Sequence, residues 1–405
     1  MKILFLSLSD YRTLNTHGLY SDLLREFIKN GHEVYMISPV ERRKKEKTHI
    51  IIEPHAQLLK LQIGNMQKTN IFEKAISMLT IESQIISGIK KYYSDIKFDL
   101  ILYATPPITF YRAIKYVKKR DNAKTYLLLK DIFPQNAVDL GIMQIRGIKC
   151  VLYKYFRKKE KQLYAISDKI GCMSQANVDY VITHNPEILA NKVEICPNCI
   201  EIRDMQLTEE ERVSIRDKYN IPQDKKVFVY GGNLGKPQGI SFLIECLKPQ
   251  ENNEDAFFLI VGNGTEFGKL QDYFESIKPK NMKLMRSLPK DDYDKMIAAC
   301  DIGLIFLDYR FTIPNFPSRL LSYMQAKIPV LAVTDTNTDI GKVIVDGGFG
   351  WWCESDDVED FCKIILSILN DNTVLGEKAF LYLKENYSVK RAYEIIMKDF
   401  NGKRK

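Results

Sequence analysis

Apolar residues in this chain follow two alternating patterns: short continuous runs, and longer stretches where they recur every three or four positions. The runs read as buried parallel strands and the periodic stretches as amphipathic helices. Lys2–Leu8 is a first run. After a polar loop over 9–18, Leu19, Leu23, Leu24, Phe27 and Ile28 mark one helical face, which Asn30-Gly31 closes as a C-cap. His32–Ser38 is the next strand, with short candidates at Ile50–Glu53 and Leu58–Ile63. A long amphipathic helix is predicted over Ile71–Tyr93, with Phe72, Ile76, Leu79, Ile86, Ile89 and Tyr93 as its apolar residues. Asp99–Ala104, Thr125–Leu129, Lys169–Met173 and Lys192–Ile195 continue the strands. Between them lie a helix ending at Arg120 and a basic aromatic helix over 147–165.

Pro197-Asn198 breaks the pattern, and 203–224 is polar and charged. The alternation then restarts. Strands are predicted at Lys226–Gly231, Ala256–Gly262, Met282–Arg286, Ile302–Leu307, Pro329–Val333 and Gly350–Cys353, with helices between them. The organising stretch is Val227–Gly239, VFVYGGNLGKPQG: a strand that stops at Gly231-Gly232 and runs on through Gly235, Pro237 and Gly239. Ile240, Leu243, Ile244 and Leu247 then recur at helical spacing. The class is therefore α/β, with two Rossmann-like doubly wound domains over 1–199 and 200–385. Ligands of such sheets bind beyond the C-terminal strand ends, and a cleft between two facing domains is the expected site.

Composition adds limits. At 45% hydrophobic and 27% charged residues, the chain is ordinary globular protein. The eight cysteines include one close pair, Cys196 and Cys199, but no second pair or His cluster completes a metal site. Free thiols in a reducing cytosol are expected. The N-terminus reads as a strand rather than a signal peptide, and no run of 18 apolar residues predicts a membrane-spanning helix. Charge is uneven: residues 1–199 hold 31 Lys+Arg against 19 Asp+Glu, and the last twenty hold 6 against 2. A basic lobe faces nucleic acid, an anionic membrane or an anionic substrate. No nucleic-acid recognition motif accompanies it.

The glycine loop is the first candidate for chemistry. Amides at a helix N-terminus hold anions, and Lys236 adds a full charge. The spacing matches neither the P-loop nor G-x-G-x-x-G, which disfavours an NAD enzyme. A tight strand–helix turn with a solvated lysine is the alternative. Asp131 stands at a strand end, where it can orient a hydroxyl or serve as a helix N-cap before Pro134. Thr16, His17 and Gly18 end the first loop, as ligand contacts or plain loop residues.

Several segments together resemble the retaining glycosyltransferases of family four, which have the two-Rossmann-domain GT-B fold. The segments are LLREFIKNGHEVYMIS, CPNCI, YGGNLGKPQGISFLI, FLIVGNGTEFGKL, RSLPKDDYDKMIAACDIGLIFL and NFPSRLLSYMQAKIPVLA. LLLKDIFPQNAVDLG resembles a subgroup that builds bacterial surface polysaccharides (capsule or O-antigen) and handles amino sugars. The resemblance implies a nucleotide-sugar donor, UDP-linked, held by Gly232, Asn233, Gly235, Lys236, Arg286, Ser287, Ser318, Arg319 and Ser322. It implies Asp131, Lys236 and Arg319 as catalytic residues, with no metal or other cofactor. Arg319 read alone is equally a surface ion pair on a helix. Acceptor contacts fall on Thr16, His17 and Gly18, the acceptor being a polyprenyl-diphosphate-linked sugar at the inner face of the cell membrane. The resemblance also returns 386–405 to the N-terminal domain as a final helix. Two departures stand out. Pro314 and Ser322 occupy the places of the family's paired glutamates, while Asn233 and Gln238 lie near its basic pair. They leave open a noncatalytic or regulatory binding protein on the same fold. The helix over 147–165 interleaves Leu152, Tyr155, Phe156 and Leu163 with lysines, as a membrane-surface helix does; a core-packed helix with a solvated charged face has the same pattern.

Overall fold

A computed structural model of the protein describes residues 1–65, 71–147, 150–371 and 373–400. The chain divides into two units: Met1–Glu201 with the chain from Val389 on, and Ile202–Ser388.

The first unit is built on eight strands: β1 (Lys2–Leu6), β2 (Glu33–Glu41), β3 (His49–Glu53), β4 (Ala56–Ile63), β5 (Leu100–Ala104), β6 (Lys124–Leu129), β7 (Lys169–Cys172) and β8 (Val193–Ile195). They form one sheet in the order β3-β4-β2-β1-β5-β6-β7-β8. Every neighbouring pair is parallel except the edge pair β3–β4. Before the chain passes to the second unit, the helices among the described residues are α1 (Leu19–Lys29), α2 (Ile71–Tyr92), α3 (Tyr111–Asp121), α4 (Gln135–Asp139), α5 (Cys150–Ile166) and α6 (Gln175–His184). Alternate strand residues serve opposite faces. Leu4, Leu6, Tyr103 and Leu127 join a core with α2, α3, α5 and α6, whereas Ile3, Phe5, Leu102 and Leu128 join one with α1.

Two helical faces differ from the sequence expectation. On α2 the sheet takes Ile81, Ile85 and Ile89, and Ile76 and Leu79 turn to solvent at 62% and 63% exposure. Two apolar stripes run along this helix, and periodicity alone does not choose between them. The side chain of Phe72 lies outside the described residues. On α5, Phe156 and Leu163 are core residues, while Leu152 and Tyr155 stay exposed. Residues 148 and 149 of that predicted segment, and the basic tail from 401 on, lie outside the described residues.

The second unit has six strands: β9 (Lys226–Asn233), β10 (Ala256–Asn263), β11 (Met282–Met285), β12 (Ile302–Phe306), β13 (Val330–Thr334) and β14 (Gly350–Glu354). All pairs are parallel, in the order β11-β10-β9-β12-β13-β14. Counted from β9 this is 3-2-1-4-5-6, so the strand order reverses between β9 and β12. Its helices are α7 (Glu209–Lys218), α8 (Ile240–Leu247), α9 (Phe267–Ile277), α10 (Lys290–Ala298), α11 (Arg319–Gln325), α12 (Ile340–Asp346), α13 (Val358–Asn370) and α14 (Gly376–Asn386). Thr208 starts α7 with a capping box closed by Glu211.

The chain then returns to the first unit as α15 (Val389–Met397). Val389, Ala392, Ile396 and Met397 are buried in the α1-side core, and the Tyr393 hydroxyl lies 2.9 Å from His32 Nε2.

Arg216 of α7 is fully buried and fixes the starting ends of the two central strands. It donates to the Ala299 and Pro222 carbonyls at 2.8 and 2.9 Å, and to Asp301 at 2.7 Å. The same Asp301 carboxylate accepts from Val227 N at 2.7 Å, so one ion pair joins α7, β9 and the turn into β12. Arg216→Met leaves Asp301 to Arg212 and Val227 N but takes the donor from the Ala299 and Pro222 carbonyls, and should cost about 2 kcal/mol. The expected result is a lower urea midpoint for unfolding of the Ile202–Ser388 unit; an unchanged midpoint would contradict the pinning role.

Candidate active site

In the second unit, β9 ends where its sheet reverses order, and the chain there is stripped of side chains. A Cβ at Gly231 would fall 1.8 Å from the Tyr293 hydroxyl oxygen, and Gly232 has φ 115°. A Cβ at Gly232 would lie 3.7 Å from Arg319 Nη2. The loop beyond is closed by Gln238, whose side-chain oxygen accepts from Asn233 Nδ2 at 2.9 Å and Gly235 N at 3.2 Å. Asp308 N donates to Pro237 O at 3.0 Å, which ties the loop to the end of β12. Lys236 opens the short turn Lys236–Gln238 and is exposed.

Arg319 begins α11, with its guanidinium stacked 4.4 Å from the Tyr230 ring centroid. Its Nη1 is buried with no hydrogen-bond partner, and among the described residues no carboxylate lies within ion-pair distance of it. That arrangement rules out the surface ion pair considered for this residue. One turn along, the Tyr323 hydroxyl accepts from Gly231 N at 3.1 Å and sits within 3.2 Å of the Val229 and Leu304 carbonyls. Burial raises the pKa of Tyr230, Tyr293 and Tyr323, so all three stay neutral beside the guanidinium.

The other donor-side candidates spread along the same C-terminal sheet edge. Ser318 is exposed at the N-cap of α11, Ser322 is half-buried one turn later, and Pro314 is buried. Two strands from β9, Arg286 stacks its guanidinium 3.6 Å from the Phe267 ring centroid. Ser287 accepts from Asn263 at the end of β10.

In the first unit, the loop after β1 is held by two cations. Lys60 is fully buried on β4 and donates to Asp10, the Tyr11 carbonyl at 2.9 Å and Ser38 Oγ at 3.1 Å. Arg25 on α1 donates to the carbonyls of Leu14 and Thr16, and pairs with Asp22 and Glu201 at 2.7 Å each. His17 Nδ1 lies 3.2 Å from Arg25 Nη2, 3.5 Å from Asp22 and 3.6 Å from Glu201. His17, Asp22 and Glu201 have metal-ligand chemistry and lie close together, but the Arg25 guanidinium already supplies the cation among them. Gly18 N donates to Asp22 at 2.9 Å, and Thr16 is exposed.

Asp131 follows β6. Helix α4 starts after Pro134, so Asp131 is not its N-cap. Its carboxylate accepts instead from Asn136 Nδ2 at 2.8 and 2.9 Å, and Thr105 Oγ1 bonds its backbone at 3.3 Å. The side chain keeps a partial opening to solvent, yet burial pushes its carboxyl up to about 6, and the Asn136 bond opposes that rise. Neighbouring Lys130 turns its Nζ to the Cys196 carbonyl at 3.1 Å, and burial lowers its pKa. Arg25, Lys60, Asn136, Tyr230, Tyr293 and Tyr323 were not singled out from the sequence. Tyr230 sits inside the organising stretch and was legible only as a strand residue.

Residues 211–386 match the family model of glycosyl transferases group 1. This segment is a group 1 glycosyltransferase domain, and the chain as a whole carries the GT-B fold. Among its relatives, "Probable glycosyltransferase WbjE" of Pseudomonas aeruginosa is 25% identical over 72% of this chain and 71% of that protein. WcaI of Escherichia coli K12, named for colanic acid biosynthesis, is 22% identical over 61% and 60%. Among solved structures, sucrose-phosphate synthase of Thermosynechococcus elongatus aligns with TM-score 0.77 at 13% identity, covering 99% and 98%. HepE of Anabaena, solved in complex with UDP, aligns with TM-score 0.70 at 14% identity, covering 99% and 100%.

The raised Asp131 pKa carries a stability consequence. In the folded protein the carboxyl titrates near 6 instead of 3.8, so stability is fully present below pH 3.8 and falls as pH rises through 6. Asp131→Asn removes that loss. Relative to wild type, the variant should gain up to about 3 kcal/mol between pH 4 and pH 7.5. Urea titrations at both pH values check this, and a wild-type-to-variant difference constant with pH would contradict it.

Proposed function

We propose that this protein transfers a sugar, with retention, from a UDP-linked donor to a polyprenyl-diphosphate-linked saccharide in bacterial surface polysaccharide synthesis. The observation that carries the reading is Arg319: a guanidinium with a buried, unpartnered nitrogen beside a glycine loop at the point where strand order reverses. A cation so placed is matched by a bound anion, and the anion of this chemistry is the donor diphosphate. WbjE and WcaI support the glycosyl-transfer reading, and the UDP-bound HepE structure supports the choice of nucleotide.

In this reading the second unit holds the donor. Arg319, Lys236 and the amides of Gly232–Gly235 receive the charge that develops on the diphosphate as the glycosidic bond breaks. The Ser322 hydroxyl accepts from the ribose where the family places a glutamate, and backbone atoms at Arg286 and Ser287 face the base. Ser318 and Asn233 border the same space. The first unit holds the acceptor. Thr16, His17 and Gly18 present a loop that Lys60 and Arg25 keep rigid, and Asp131 orients a sugar hydroxyl. That hydroxyl forms the new bond on the face the diphosphate leaves, and its proton passes to the departing phosphate.

Removing Arg319 deletes a charge-assisted bond worth roughly 1.5–3 kcal/mol. Arg319→Ala and Lys236→Ala should each lower kcat/KM about 10- to 150-fold. Nucleotide release from UDP-sugars in the presence of membrane extract measures this. Unchanged kinetics in both variants would remove the diphosphate site from this loop.

The same reading places the enzyme on the inner face of the membrane. Helix α5 supports it with an exposed stripe of Val151, Leu152 and Tyr155 flanked by Lys154 and Lys158. No helix among the described residues is long and apolar enough to cross a membrane. The protein should sediment with anionic vesicles at low salt and be released as salt shortens the screening length. Equal binding to neutral vesicles, or none at low salt, would exclude this.

A further inference from the structure

Asp131 has one side-chain partner among the described residues, and it comes from five positions along the chain. Asn136 Nδ2 stands 2.8 Å from one carboxylate oxygen and 2.9 Å from the other. Contact with both oxygens fixes the plane of the carboxylate as well as its position. Asn136 is itself held: its backbone N donates to the Ile132 carbonyl at 3.1 Å, at the start of α4. The peptide of Asp131 is fixed separately by Thr105.

We propose that Asn136 is the positioning residue for Asp131, aiming the carboxylate and keeping it ionised for the hydroxyl that the enzyme orients. This rests on the role given to Asp131 above. The charged groups around it do not supply the same service. Glu160 on α5 is a second buried carboxylate and opposes ionisation, although Arg157 pairs with it. Lys130, the preceding residue, points to the Cys196 carbonyl. Asp139 on α4 accepts from Gln135 at 2.8 Å. Without the Asn136 donor only the Ile132 amide opposes burial and Glu160, which push the carboxyl towards its neutral form, a poorer acceptor of a hydrogen bond from the hydroxyl.

The test uses the full chain labelled with carbon-13 at the aspartate carboxyl. The Asp131 resonance is identified by its loss in Asp131→Asn. Its midpoint, near 6 in the native protein, should rise by at least tenfold in proton affinity in Asn136→Leu and return towards the native value in Asn136→Gln. An unchanged midpoint in Asn136→Leu overturns the proposal. Should Asn136→Leu fail to fold, Asn136→Ser carries the same comparison. The second readout is the acid limb of kcat/KM for nucleotide release from UDP-glucose with membrane extract, which should move upward with the midpoint. A midpoint that moves without the acid limb overturns the catalytic role of Asp131 while leaving the Asn136 contact established, so the two failures are told apart.

Discussion

A cation taken out of water needs an anion or a set of carbonyls at close range, and both units of this protein are arranged around that requirement. Lys60 finds Asp10, a carbonyl and a serine hydroxyl. Arg25 finds two carboxylates and two carbonyls, and Arg216 finds Asp301 and four carbonyls. Each match joins pieces of chain that the sheet alone would leave loose. Arg319 is the exception: its neighbours are neutral phenols and glycines. Lys60, Arg25 and Arg216 are satisfied within the fold, whereas Arg319 Nη1 is buried with no hydrogen-bond partner among the described residues.

The tyrosines around Arg319 explain why the β9 end can be both bare and rigid. The Tyr323 hydroxyl bonds Gly231 N and reaches two strand carbonyls, which fixes the backbone there. Tyr293 covers the other side, so closely that only glycine fits at 231. Phenols do this work without adding charge, which leaves the guanidinium uncompensated. Side chains delivered by α10 and α11 thus set the shape of a backbone that belongs to β9.

Much of this was legible in the sequence. Strand runs such as 226–231 and 302–307 declare themselves because both faces of a doubly wound sheet are buried. The glycine loop and the candidates Lys236 and Arg319 followed from pattern and resemblance. What stayed hidden depends on distant partners. Lys60 meets Asp10 fifty positions away and Arg25 meets Glu201 across 176, and no local pattern records either pairing. The α2 stripe was misjudged for a related reason: Ile76 and Leu79 are as apolar as Ile81 and Ile85, and only the sheet decides which pair it covers. Asn136 was invisible because its partner, five residues back, was read either as a group that orients a hydroxyl or as a helix cap, and neither reading calls for an amide partner.

The return of α15 to the first unit has a consequence for how the chain is made. Val389, Ala392, Ile396 and Met397 complete the α1-side core of a unit whose other residues end at Glu201. During synthesis the first unit therefore leaves the ribosome with the apolar patch beside α1 that α15 later covers still open, and that patch stays open while the second unit is translated. A nascent chain in this condition is a natural client for chaperones that shield apolar surface. The final helix acts as a seal that arrives late, and assembly of the amino-terminal unit is completed only after its carboxy-terminal neighbour has been synthesised.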